Sequence, residues 1–175
     1  MVEGRHAYVD AETWIGPPRP FDREASLAEL ARRYLRGHAP ADARDLAKWA
    51  GLPLGDARAG LEAIAAELIH RDDGLLELDG HSSRTPLRPC LLDRWDPVLV
   101  GWRSREALLA HYPSRDAPET HYRPFAYVQG QAVATWGLRG GKAELDPPFA
   151  MVAHGDLQSL LDDAAEVERF LVVDR

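Results

Sequence analysis

Gln129-Gly130-Gln131 sets two primary amides on either side of a glycine, and Asp96 stands directly before Pro97. Arg94, Arg103, Arg105, Arg123 and Arg139 are interleaved with Trp95, Trp102, Tyr122 and Trp136. These are the residues whose types and spacing could carry chemistry. Two amides cannot shuttle a proton at neutral pH, so Gln129 and Gln131 could at most position a water or a base; the bland reading is a glycine turn with polar flanks. Asp96 is the third catalytic candidate, although an aspartate before proline more simply caps or turns the chain. The arginine and aromatic mixture suits phosphate contact and base stacking. Solvated surface charge and core aromatics are the competing use of the same residues. No metal site and no cofactor are expected, because His111, His121 and His154 are not at ligand spacing and no phosphate-binding or nucleophile-elbow motif occurs. The single cysteine, Cys90, excludes an internal disulfide and reads as a buried structural thiol.

Charge narrows the partners. A formal net charge of −7 over 175 residues argues against a protein that coats polyanions. The balance is uneven along the chain. Residues 26–80 hold seven basic and ten acidic groups, whereas residues 81–149 hold nine and seven, eight of the nine cations being arginine. If nucleic acid is bound, the second region and its five arginines are the expected interface. The absence of a long apolar run or secretory leader predicts a cytoplasmic protein without membrane contact.

These residues need elements to position them. Arg5 to Val9 has strand character, with Trp14 as an aromatic anchor, and the proline-rich stretch at 16–20 reads as a linker or strap. Ser26 with Glu29 has the form of a capping box opening a first helix, whose Leu27, Leu30, Ala31, Tyr34 and Leu35 follow helical rhythm. A second helix from about Asp42 to Ala50 buries Leu46, Ala47 and Trp49. A third, from about Gly55 to Glu67, turns Ala57, Leu61, Ile64, Ala65 and Leu68 inward. Asp73-Gly74 between apolar stretches signals a hairpin with both central residues at positive φ. The pattern is a helix-turn-helix with a β-wing. Beyond a polar boundary come a strand at Cys90 to Leu92, a short helix at Arg103 to Leu109, strands at His121 to Tyr127, Ala132 to Trp136 and Ala143 to Leu145, and a helix from Asp156 to about Phe170. The expected class is α+β: a winged helix, then a small β-barrel-like domain with a C-terminal helix. The expected division is residues 1–25 strand and linker, 26–80 winged helix, 81–89 linker, and 90–175 barrel-like domain.

The run from Leu30 to Glu62 resembles the last winged helix of the AlkZ-like, or YcaQ-like, winged-helix DNA glycosylases. Leu91 to Arg105, with its Trp-Asp-Pro turn and Arg-Ser-Arg, and Tyr122 to Trp136, with Arg-Pro, a glycine turn and Thr-Trp, are similar to segments that follow it in that family. The resemblance implies tandem winged helices ahead of this region and excision of alkylated or crosslinked bases. It also implies a catalytic Gln-x-Gln or Gln-x-Asp in the preceding half, which this chain lacks. Gln129 and Gln131 match that motif literally but fall in a hairpin turn where members carry an Asp-Gly or similar pair. The opening strand looks like the second half of a preceding wing.

The expected function is a noncatalytic, nucleic-acid-associated protein related to DNA repair. A reduced glycosylase, or a small-molecule enzyme using the pocket between the two parts, is one alternative. An interaction module completed by a partner chain supplying the missing half is another. Against direct reading of DNA, the outward face of the third helix (Asp56, Arg58, Ala59, Gly60, Glu62, Glu67) and the wing tip (Arg71-Asp72-Asp73) are acidic.

Overall fold

The computed structural model describes residues 8–17, 22–81, 88–113 and 123–173. Helix α1 (Ala11–Ile15) is opened by Asp10, whose carboxylate accepts the Thr13 N–H at 2.8 Å. The expected strand from Arg5 is not seen in its described part: Tyr8 and Val9 are unpaired and exposed, and the residues before them lie outside the described region. Trp14 is no anchor, being 75% exposed on a helix that buries none of its residues.

Helix α2 (Arg23–His38) starts three residues earlier than the Ser26 signal, because Asp22 caps it by accepting the Ala25 N–H. Glu29 does not reach back to close a box; both its oxygens are taken by Arg32 and Arg33. Helix α3 (Ala43–Ala50) has a true reciprocal cap between Asp42 and Asp45, and Gly51 ends it in the left-handed region at φ 65°. Helix α4 (Leu54–Glu62) is shorter than the sequence rhythm suggests; a separate 3-10 turn, Ala65–Glu67, follows it and leaves Ala65 exposed. Helix α4 lies close against α2 at Gly60, where an added Cβ would stand 2.6 Å from the Leu27 carbonyl oxygen. Tyr34, Leu35, Leu46 and Ile64 form the sealed centre of this helical unit. Burial of each such side chain is worth about 1.5–3 kcal/mol.

A hairpin of β1 (Leu68–His70) and β2 (Leu76–Leu78) closes the unit, and Ala41 bridges to Leu76 on the other side of β2. The Asp73-Gly74 turn differs from expectation. Gly74 alone has positive φ, with Arg71 pairing across to Leu75 and Gly74 N–H returning to the Arg71 carbonyl. The tight turn with both central residues at positive φ occurs instead at Gln129-Gly130, and again at Gly140-Gly141.

The second unit is a curled antiparallel sheet in the order β3 (Cys90–Leu92), β4 (Phe125–Val128), β5 (Gln131–Arg139), β6 (Lys142–Leu145). Between the first two strands runs the short helix α5 (Pro97–Val100), and the chain closes with α6 (His154–Val173). A register slip opposite Ala126 and Tyr127 leaves Val133 as the extra residue of a bulge. Alternation sends Phe125 and Tyr127 to one face, against Leu92, Leu99 and Leu109, and Ala126 and Val128 to the other, against Leu160. The sheet's two outer strands are tied down by α6: Asp163 accepts the Leu91 N–H and Glu168 accepts the Ala143 N–H, each at 2.8 Å. Asp163 is therefore part of the packing, while Leu161 on the same helix is exposed. The helix expected at Arg103 to Leu109 is a series of turns; the helical residues lie earlier, in α5. The architecture is mixed α+β, as expected, and the expected barrel-like part is, among the described residues, an open curled sheet.

Candidate functional site

The two units meet along the segment Gly101 to Arg105. Tyr34 donates its hydroxyl to the Gly101 carbonyl at 2.8 Å, Trp102 donates its indole N–H to the Pro40 carbonyl at 3.2 Å, and Lys48 donates to the carbonyls of Trp102 and Arg103. In the other direction, the Arg103 N–H donates to Asp45 Oδ1 at 2.9 Å. His38 stacks on Tyr34 at 4.9 Å between ring centres and meets Trp102 edge-on at 5.3 Å. Burial, reinforced by the negative charges of Asp45 and Asp42, holds the Tyr34 phenol well above its ordinary range, so it stays a hydroxyl donor. Trp49 was expected in the core and instead lies 40% exposed, tilted over the Tyr34 and His38 rings.

Beside this seam lies a cleft of about 430 Å³ whose walls include Pro40, Leu75, Leu99, Trp102, Leu108 and Tyr127. Its polar residues are Asp42, Asp45, Arg103, Ser104 and Arg105. That volume falls within the range of small-molecule sites, roughly 300–1,000 Å³.

The five arginines separate into three places. Arg103 and Arg105 line the cleft, Arg103 exposed and Arg105 half-buried, with burial lowering the Arg105 pKa. Arg139 is held by Asp146 and Glu144, which raises its pKa, and Thr135 donates its hydroxyl to the same Asp146. Arg123 is exposed and close enough to help depress the Asp146 pKa. Arg94 stands alone on the turn before α5, exposed, with Asp93 at 4.0 Å. Arg103 and Arg123 form no ion pair among the described residues. In the helical unit most guanidinium groups are already matched: Arg23 to Asp56, Arg32 to Glu29 and Glu67, Arg33 to Glu29, and Arg71 to Asp73 and Glu77.

Asp96 caps α5, its Oδ1 accepting the Val98 N–H at 2.8 Å, which is the capping use and leaves that oxygen occupied. Gln129 occupies the turn at φ 48° and is exposed, and Gln131 begins β5. Both border a shallow depression with His111, Phe149 and Asp156. Cys90 is half-buried, and burial raises its thiol pKa. Of the interleaved aromatics, Trp136 donates to the Leu92 carbonyl within the sheet, Trp95 is exposed, and Tyr122 lies outside the described residues. Among the described residues no cluster of three His, Cys, Asp or Glu could hold a metal, and no helix is long and apolar enough to cross a membrane.

Sequence reasoning named a pocket between the two parts, and Arg103 and Arg105 among its candidates, but not the remaining walls, which come from four separated stretches of chain. One signal was present: Asp42-x-x-Asp45 is a capping box with aspartate in the place usually held by Glu or Gln.

A family model described as DNA glycosylase AlkZ-like matches residues 2–170. No curated protein matches the chain by sequence. Among solved structures, Streptomyces sahachiroi DNA glycosylase AlkZ is similar at a TM-score of 0.68 and 18% identity, over 89% of this chain and 45% of that one. The likeness is one of fold, and this chain spans less than half the length of the structure it matches.

Proposed function

Because the chain belongs to the AlkZ-like DNA glycosylase family, we propose that it is a noncatalytic DNA-associated protein of base repair, corresponding to the C-terminal half of that architecture and working in the cytoplasm. In this reading residues 26–80 are a winged helix, with β1 and β2 as its wing, and residues 90–175 form the partner domain, joined through 81–89. The winged helix serves as a packing module. Helix α4 would enter DNA with Asp56 already committed to Arg23, and the wing would present Arg71 folded back on Asp73 and Glu77. Helix α4 presents one exposed guanidinium, Arg58, between Asp56 and Glu62, and the wing tip presents none that is unmatched.

The observation that carries the reading is the position of Arg103. Its side chain is exposed and unmatched by any carboxylate among the described residues, on a backbone pinned to the helical unit by Asp45, Lys48 and Tyr34. A guanidinium on a rigid mount loses less freedom on meeting phosphate than one on a free loop. Arg94 and Arg123 supply the other contacts, while Arg139 is spent on Asp146.

Fluorescence anisotropy against duplex and abasic DNA tests this. Three phosphate contacts give a slope of about −2.7 in log K against log salt, or about forty-fold loss of affinity between 50 and 200 mM salt. Arg103→Gln should flatten the slope by about one, and Arg139→Gln should leave it unchanged. No salt-dependent binding at micromolar protein would sink the proposal.

The interaction-module reading rests on α1. Trp14 and Ile15 on it, and Tyr8 just before it, are all exposed, a set of apolar side chains that a further domain or a partner chain would cover.

A further inference from the structure

Helix α3 has a face that the duplex contact does not use. Arg44 and Lys48 are spaced i, i+4 along it, hence on one side, and both are exposed. Lys48 Nζ lies 3.2 Å from the Arg103 carbonyl oxygen and 3.3 Å from that of Trp102, which fixes the ammonium beside the exposed Arg103 and leaves it a third N–H to donate. None of these three cations has a carboxylate partner among the described residues, in contrast to Arg23, Arg32, Arg33 and Arg71. The two acids of the same stretch are engaged by the backbone: Asp42 Oδ1 accepts the Arg44 and Asp45 N–H groups, and the buried Asp45 accepts those of Asp42 and Arg103. They offset part of the charge and still leave a positive surplus. Next to Lys48, Trp49 is 40% exposed, its indole backed by Tyr34 at 5.2 Å and by His38 at 5.5 Å between ring centres. A ring held from behind loses little freedom when a second ring lands on it.

We propose that this face of α3 holds an unpaired stretch of DNA, with one base stacked on Trp49 and the flanking phosphates met by Arg44, Lys48 and Arg103. The inference rests on the DNA association proposed above and adds the state of the DNA. Bases inside a duplex are already stacked on their neighbours and offer Trp49 no open face, so the site selects unpaired nucleotides. Cations beside an aromatic platform are the means by which single strands are held without reading their sequence. The cations alone would favour the duplex, whose charge is denser; Trp49 reverses that order.

The full chain is titrated by fluorescence anisotropy with three labelled probes: a short oligothymidylate, a strand of equal length in which abasic units replace the thymidines, and a duplex of equal length. The oligothymidylate should bind about tenfold tighter than its abasic counterpart, which carries the same phosphates without the bases. That comparison needs no variant, so it stands whatever a substitution does to folding. Trp49→Leu keeps an apolar contact with Tyr34 and His38 but removes the stacking face. It should bring the two strands to within about twofold of each other and leave duplex affinity unchanged, and Trp49→Phe should recover most of the preference. Arg44→Gln, a change at an exposed position, should weaken both single strands alike by about threefold. Equal affinity of the unsubstituted protein for the two strands, or a preference undiminished in folded Trp49→Leu, overturns the proposal. Salt-dependent duplex binding that Arg103→Gln weakens, without preference for the base-bearing strand, removes this inference and leaves the DNA reading standing. Binding of none of the three probes overturns both.

Discussion

Replacing Asp45 with alanine should cost more than any other single truncation at the seam. The side chain is 7% exposed and carries two bonds of different kinds: Oδ2 accepts the Asp42 N–H at 3.0 Å, closing the cap of α3, and Oδ1 accepts the Arg103 N–H at 2.9 Å across 58 residues of sequence. A hydrogen bond to a charged group is worth about 1.5–3 kcal/mol, and the two share one carboxylate, so simple doubling overstates the loss. The Asp42 N–H can regain water at the helix edge, whereas the Arg103 N–H sits in a crowded seam. We expect about 3 kcal/mol from Asp45→Ala. At the size of this chain that lowers Tm by roughly 6–12 °C. Asp45→Asn keeps one acceptor and should cost about half as much. The assay is urea unfolding followed by tryptophan fluorescence, with hydrogen exchange at the Arg103 amide as a local readout. Exchange there should accelerate in Asp45→Ala and stay slow in variants that destabilise the core elsewhere. A loss under about 1 kcal/mol, with the Arg103 amide still protected, would refute the claim that Asp45 fastens the two units.

Three further outcomes follow from particular contacts. Gly60→Ala forces a methyl group to 2.6 Å from the Leu27 carbonyl, so helices α2 and α4 must part; destabilisation of about 1–3 kcal/mol in urea melts is expected, against the usual gain from Gly to Ala in a helix. Gln129→Asn relieves a non-glycine residue at φ 48° and should stabilise by about 0.5 kcal/mol, an outcome incompatible with strain held there for catalysis if activity or binding is untouched. Glu29 and Glu67 have pKa values depressed by their bonds to Arg33 and Arg32, so their contribution is complete above the usual value near 4.5 and fades as pH falls through the lower folded value. Stability measured by melts from pH 6 to 3 should therefore drop on acidification, and Glu67→Gln should make that drop shallower.

Local signals carried most of the elements. The apolar rhythm of Ala31, Tyr34 and Leu35 and the alternation through Phe125 to Val128 reported real buried faces. What failed were signals that depend on competition. Ser26 and Glu29 have the form of a capping box, but two arginines one turn on outbid the backbone for Glu29, and Asp22 was the stronger cap upstream. Arg103 to Leu109 has good helix formers, yet Gly101 to Arg103 is bound to the helical unit and the Leu108 carbonyl to Ala132 N–H, so the backbone is spent on tertiary bonds. Aromatic residues were ambiguous for the same reason. Trp14 and Trp49 look like anchors in sequence, and only the fold decides that Trp102 takes that role beside Tyr34.

Charge shows most sharply why composition could point to the arginine-rich region without naming the residues that matter. Counting gave residues 81–149 a surplus of two positive charges. The fold redistributes it: Arg139 is neutralised by Asp146 and Glu144, Arg105 is drawn into the cleft, and Arg94, Arg103 and Arg123 are left exposed. Three such contacts are few beside the six to ten of a protein that holds DNA by its phosphates, and counterion release scales with that number. On the proposed function the chain by itself is therefore a weak DNA binder, against the background of an overall charge of −7. Its rigidly mounted Arg103 is better suited to fixing orientation once DNA is held than to capturing it from solution.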